Sequence, residues 1–425
     1  MNKAPLPKGL YDTHPLFNRV IFAYGFRPFF ILSAGYAALT VLLWAGFWYD
    51  LVPLPDAISV VQWHAHEMLF GVIGAALGGF LLTAVPELTA DPSLKSPGGT
   101  KYKHIMGRKL ALLVALWLAG RVAMWMIGVL PIWLVALVNL AYLLILMAWT
   151  VPDLWRERQK KHRSFAFFIP ALFLAQIVIY LGWLELTLFE DWPYDIALRG
   201  LDAALNVFLI GISLVVTRVS MVLVPMALDE QNDLESEFRP IPPRRNLAVA
   251  TLSLFALADF FIPENPVAGW VALAAAAAQL DRLADWHVGR ILLKPYVLVV
   301  YLTHVWMAVG LAGIGLHDLA GWDDFAAARH ALALGAASLA VVAVYVVAGL
   351  EHTGRAMVVS KPMLLAIALI NLATALRVVV PPLLPDLYVP VAIGGASVVW
   401  AAAFAVFLWD FWPALTRPRP DGKPG

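Results

Sequence analysis

Uncharged runs about as long as a bilayer is thick recur along this chain, and no other feature limits its fold so closely. They extend from Pro28 to Tyr49, Met68 to Pro86, Val122 to Pro152, Ser164 to Leu184, Pro295 to Leu316, Ala331 to Leu350 and Leu387 to Trp409. A hydrocarbon core about 30 Å thick is crossed by roughly 20 helical residues, whose backbone groups pair within their own segment. The runs are too long and too uniformly apolar for barrel strands, which alternate. With 61% hydrophobic residues and a mean hydropathy of +0.77, the chain also exceeds what one soluble core needs. The predicted fold is all-α, a polytopic membrane protein of about twelve transmembrane helices. They are placed near residues 25–49, 60–86, 107–128, 131–151, 164–186, 196–226, 246–262, 266–286, 293–316, 326–350, 362–382 and 387–412. The whole chain, 1–425, reads as one integral membrane domain, divisible into six-helix halves 1–228 and 246–425 by a polar cytoplasmic loop, 229–245.

Lysine and arginine set the orientation, because short basic loops stay on the cytoplasmic side. Lys3, Lys8 and Arg19, the even-numbered loops (Lys95, Lys101, Lys103, Arg108, Lys109, then Arg156, Arg158, Lys160, Lys161, Arg163) and the tail (Arg417, Arg419, Lys423) hold nearly all of them. The odd-numbered loops are acidic and carry only Arg199 and Arg329. Both termini are therefore predicted to be cytoplasmic, and no cleavable signal peptide is visible. The basic clusters are explained as topology signals; none is interleaved with aromatics, and no nucleic-acid partner is expected. The partner the composition demands is the lipid bilayer.

The chain contains no cysteine, which excludes disulfides, thiolate metal sites and covalently attached haem. A metal would need histidine, carboxylate or methionine, and a haem would be non-covalent. Titratable residues inside spans are costly and count as functional candidates. The predicted topology puts His64, His66 and Glu67 in the outer third of the second span and His330 at the outer end of the tenth. His304 falls halfway along the ninth, and Arg121 and Arg377 reach the same outer level. His352 is 22 residues past His330, about 33 Å away at 1.5 Å per residue, at the inner face near the level of Arg218. At about 100° per residue His64 and Glu67 share a helix face, continued by Gly71, Gly74 and Gly78, whereas His66 turns about 160° away. Imidazoles converging at one depth suit iron or copper, with Arg121 and Arg377 as partners for haem propionates. A membrane histidine can equally well only hydrogen-bond a neighbour, which is the reading preferred for His304. Arg27 reads as snorkelling to a head group, Trp63 as an interface anchor, and His14, His104, His162, His287 and His317 as loop residues.

Taken together, several motifs resemble the NnrS family of haem- and copper-containing membrane proteins linked to nitric oxide response. They are FRPFF at Phe26–Phe30, WHAHEMLFG at Trp63–Gly71, GFLLTAVP at Gly79–Pro86, GRKLALLVALWLAGR at Gly107–Arg121, RHALALGA at Arg329–Ala336 and HTGR at His352–Arg355. The chain departs from the family pattern around Arg218 and just before His352. The resemblance implies a multi-pass protein of the bacterial inner membrane holding haem b and copper. It further implies NO as a ligand or substrate and a quinol or small redox protein as electron donor. On this reading the outer-half cluster is a haem and non-haem metal site of nitric oxide reductase type. His64, His66, His304 and His330 are the candidate metal ligands, His352 a further cofactor-binding candidate, Glu67 the candidate catalytic ligand or proton carrier, and Arg121 and Arg377 the propionate partners. Two alternatives stand beside it: a haem-based NO binder or sensor without turnover, and a transporter of a small anion or metal complex.

Overall fold

The computed structural model describes residues 11–12, 14–90, 104–157, 162–186, 194–231, 238, 241–286, 289–322 and 324–422. Outside them lie several of the charges used for orientation (Lys3, Lys8, Lys95, Lys101, Lys103, Arg158, Lys160, Lys161, Lys423), His287, and most of the polar stretch proposed to join the halves. Among the described residues twelve long helices follow one another. They are α1 (Phe26–Trp48), α2 (Val60–Leu88), α3 (Gly107–Trp125), α4 (Ile132–Arg156), α5 (Arg163–Trp183), α6 (Ile196–Glu230), α7 (Pro242–Phe261), α8 (Pro266–Leu283), α9 (Pro295–Ala320), α10 (Phe325–His352), α11 (Lys361–Leu383) and α12 (Pro385–Thr416). No strand occurs among these residues. Nine of the helices among the described residues are long and apolar enough to cross a membrane. The other three are α3, with Arg108, Lys109 and Arg121; α7, with Arg244, Arg245 and Asp259; and α8, which ends on Asp281 and Arg282.

The starts follow local chemistry. The Asp195 and Ser360 side chains accept from the Leu198 and Met363 amides at 3.0 and 3.2 Å, satisfying donors that the first turns of α6 and α11 leave free. Proline opens α7, α8 and α9, where its missing N–H costs nothing. Gly321, with φ at +66°, stops α9 in the left-handed conformation that favours glycine.

Packing places α2 and α10 in the middle. In each, 72% of the most apolar stretch is buried, against at most 61% in any other span. Around them α1 packs on α2 and α12, α4 on α3 and α5, and the chain continues pairwise from α5 to α10, with α11 joining α10 to α12. The Gly74–Leu88 part of α2 and the Ser338–His352 part of α10 touch each other, and both helices touch α6.

Three helices depart from the α period. Glu67–Ile73 in α2, Ala331–Ala337 in α10 and Tyr388–Gly395 in α12 are π-helical. Such wide turns are rare and concentrate at functional sites. In α10 the wide turn follows His330 at once, and in α2 it starts directly after His66.

Candidate cofactor site

The His64 end of α2 and the His330 end of α10 do not pack closely on each other. Between them lies a cavity of about 350 Å³, walled also by α1, α6, α11 and α12, with residues of all three wide turns in its lining. His64 and His330 face it from opposite helices, and Arg377 faces it from α11. The His64 ring stacks on Trp44 with centroids 4.2 Å apart and planes 21° off parallel. Its Nδ1 is buried with no hydrogen-bond partner among the described residues. His330 Nδ1 lies 2.6 Å from the Ala326 carbonyl oxygen. A carbonyl only accepts, so Nδ1 carries the proton and Nε2 keeps its lone pair, the state a metal-ligating imidazole needs. Arg377 donates through Nη2 to the Tyr388 hydroxyl at 3.2 Å, while its buried Nη1 has no partner among the described residues. The site thus offers two imidazoles and one incompletely used cation in a chamber whose lining is otherwise mostly apolar.

One wall is charged. Asp202 pairs with Arg199 at 2.7 Å and Arg329 at 2.9 Å; Arg329 reaches Asp259 at 3.1 Å, and the Asn206 amide donates to Asp259 at 2.7 Å. Two cations meet two carboxylates, so the group is neutral and can stay buried. The sequence pattern puts Arg199 and Arg329 in the odd-numbered loops and does not single out Asp259. The signal was there: they are the two basic residues that break the acidic pattern of those loops, and both break it because they turn inward.

Glu67 does not join His64. Its carboxylate accepts from Arg121 Nη1 at 2.5 Å and from the Tyr36 hydroxyl, and lies 3.0 Å from His66 Nδ1. Arg121 continues to Asn139 at 2.5 Å, and His66 Nε2 lies 3.2 Å from the Tyr180 hydroxyl. The network is buried and lies behind α2, away from the cavity. The expected pairing of His64 with Glu67 fails because the α period ends at His66, and because a carboxylate can fold back onto the adjacent ring. The glycine stripe below it is filled by protein: a Cβ on Gly71 would meet Tyr36 at 2.7 Å and Arg121 at 3.0 Å, and one on Gly78 would collide with the Tyr142 hydroxyl. Trp63 is no interface anchor either; it is fully buried and donates to the Met124 carbonyl at 3.0 Å.

A family model described as NnrS protein matches residues 20–419, nearly the whole chain. The chain belongs to the NnrS family. No curated protein matches it. In this NnrS protein the other described histidines are absent from the cavity lining. His304, fully buried on α9, holds the Gln279 side-chain oxygen at 3.0 Å through Nδ1, and its Nε2 has no partner among the described residues. His352 sits 3.4 Å from Glu87 at the other end of α10, against Phe26. Arg218 lies near His162 instead, at 3.4 Å, with its guanidinium over Phe165. Arg27 does not snorkel: it is fully buried, and Nη1 donates to the carbonyls of Ala414, Leu415 and Arg417 at 2.9 to 3.1 Å, capping the end of α12. His104, ahead of α3, lies against Tyr24 with centroids 4.3 Å apart, and burial holds its pKa below the usual imidazole range.

Proposed function

We propose that this NnrS protein is a haem-binding protein of the bacterial inner membrane, acting in nitric oxide metabolism, with its haem in the cavity between α2 and α10. The observation that carries the reading is the pair of imidazoles, His64 and His330, brought by two helices to one largely apolar chamber, the second with its proton already committed to a backbone carbonyl. Imidazole nitrogens of this kind would hold a non-covalent haem, and the unused Nη1 of Arg377 would offer a counter-charge to a propionate. The chamber also lies within the size range of small-ligand and cofactor sites. Bound there, haem would supply an iron centre able to bind NO and exchange electrons with a quinol or small redox protein. The chain's own work is to hold and dry that centre: Ala326 fixes the His330 ring, Trp44 lies flat on His64, and the apolar walls exclude water.

Copper, which the resemblance also implies, finds no comparable fit. Among the described residues no group of three or more histidine, cysteine, aspartate or glutamate side chains comes together to hold a metal ion. No step is assigned to it.

The reading places twelve spans across the membrane with both termini cytoplasmic, so that the cavity lies in the outer half. For the reaction, reduction of NO is favoured: two NO, two electrons and two protons give N₂O and water. A second reading, an NO binder without turnover, is favoured by the position of Glu67, which is tied to Arg121 and absent from the cavity lining. Purified protein given a reductant and NO separates them. Steady NO loss with N₂O formation supports turnover; one equivalent bound per haem with no N₂O refutes it; absence of a Soret band from protein produced with ample haem refutes the cofactor. A transporter of the broken-helix kind is disfavoured, because the wide turns of α2 and α10 remain hydrogen-bonded helix and free no run of carbonyls.

A further inference from the structure

Beneath the histidine cavity a second space of about 70 Å³ opens between α2, α5, α6 and α10. Its lining is drawn from the inner half of α2 and from Ala340 to Val344 of α10, so it lies deeper in the bilayer than His64 and His330. Every side chain around it is apolar, with Phe80, Phe165, Phe168 and Phe208 as its bulkiest walls. Gly211 is what leaves it room: a Cβ there would approach the Phe168 ring at 2.5 Å and drive the ring aside. Leu77, Phe80, Ile212, Val215 and Val344 are only half-buried, so the crevice is not sealed within the fold. At its other end Ile73 and Val341 line this space and the histidine cavity alike.

The chemistry of the lining selects the occupant. Water needs two to four polar partners and finds none here, so such a void stays dry. An ion or a polar solute would lose its hydration without compensation. A space of this size holds a few heavy atoms, and an acyl chain would need a longer trough. What remains is a small uncharged molecule that already partitions into hydrocarbon.

We propose that the crevice is the access path by which a small neutral gas passes from the bilayer to the chamber between His64 and His330, with Ile73 and Val341 as its inner gate. That the gas is NO rests on the haem reading above; the crevice and its ligand class do not. Such a route would let the substrate arrive through the phase in which it is concentrated, while polar competitors are held at the outer surface.

Xenon tests the crevice directly, since it binds apolar voids by dispersion and size alone. The full chain in lipid nanodiscs, pressurised with xenon and imaged, should show xenon between Phe168 and Val341. Ala340→Phe, which fills the space, and Leu77→Trp, a half-buried position tolerant of bulk, should abolish it while leaving haem content unchanged. In both variants CO recombination from solution after photolysis should slow about tenfold, the effect of about 1.4 kcal/mol added to the barrier. CO release should slow equally, leaving affinity unchanged. If xenon is absent, or the density there is continuous acyl chain, the proposal fails. If xenon binds but both variants recombine at the native rate, the crevice is a dead end and the path is refuted. Xenon seated in a protein that carries no haem would sink the haem reading while leaving the crevice standing.

Discussion

Glu67 and Arg121 make the sharpest test of how this fold tolerates charge. Their 2.5 Å contact is shielded from solvent, with the Glu67 side chain at 0% exposure and that of Arg121 at 7%. Two changes, Glu67→Gln and Arg121→Gln, each leave a lone charge where a pair was. Removing one partner of a buried pair costs about 3–5 kcal/mol, whereas neutralising both avoids the stranded charge. The double variant keeps groups able to hydrogen-bond His66, Tyr36 and Asn139, so its loss should be about 1–2 kcal/mol, the scale of imperfectly remade hydrogen bonds. The double variant should therefore be more stable than either single one. The assay is a reversible SDS titration of protein in mixed micelles followed by tryptophan emission, for which Trp63 and Trp125, 4.6 Å apart, are placed close to the network. Single changes within about 1 kcal/mol of the native protein would mean that the pair is as well solvated as a surface pair. That outcome, or additive losses, would refute the reasoning.

Other expectations follow from the same geometry. If the proposed haem occupies the cavity, His330→Ala and His64→Ala should each strip most of it, read as Soret absorbance per protein, whereas His304→Ala should retain it. On the same reading Arg377→Leu should keep the haem but alter its midpoint potential, because a cation facing the cavity is removed; unchanged potential would remove Arg377 from the site. Gly78→Ala forces the Tyr142 hydroxyl aside and should cost about 1–3 kcal/mol in the same SDS titration, as overpacking does, and Tyr142→Phe should restore part of it. His104, its pKa lowered by burial, folds as the neutral imidazole. Protonation therefore favours the unfolded chain: stability is held above the ordinary imidazole pKa of about 6.5 and falls as pH drops through and below it. His104→Phe should flatten that decline in a thermal-melt series from neutral to acid pH.

Much of the architecture could be read from spacing alone. The second and tenth spans were expected at 60–86 and 326–350, and the helices are Val60–Leu88 and Phe325–His352. Run length and breakers fix such boundaries because the bilayer imposes them. The site was legible only in height. Depth along a helix predicts one level for His64 and His330, and both line one cavity, but depth says nothing of azimuth, and His304, halfway along α9, turns to Gln279 of α8. The helical wheel failed at Glu67 because it assumes one period throughout, and a wide turn has no signature in residue type. Arg329 was hidden for a different reason. A cation beside an acidic loop looks solvated until tertiary packing brings Asp202 and Asp259 to it.

The Arg27 clasp has a consequence for how the molecule is made. Its guanidinium sits in the second residue of α1, yet the carbonyls that it caps belong to residues 387 to 390 positions further on. At the usual pace of synthesis, about 5–20 residues per second, those carbonyls emerge some 20–80 s after Arg27 itself. Throughout that interval a charge destined for the protein interior must wait at the membrane surface, since hydrocarbon would not receive it alone. Insertion of α1 and its final seating against α12 are therefore separate events, and the second cannot occur until α12 arrives.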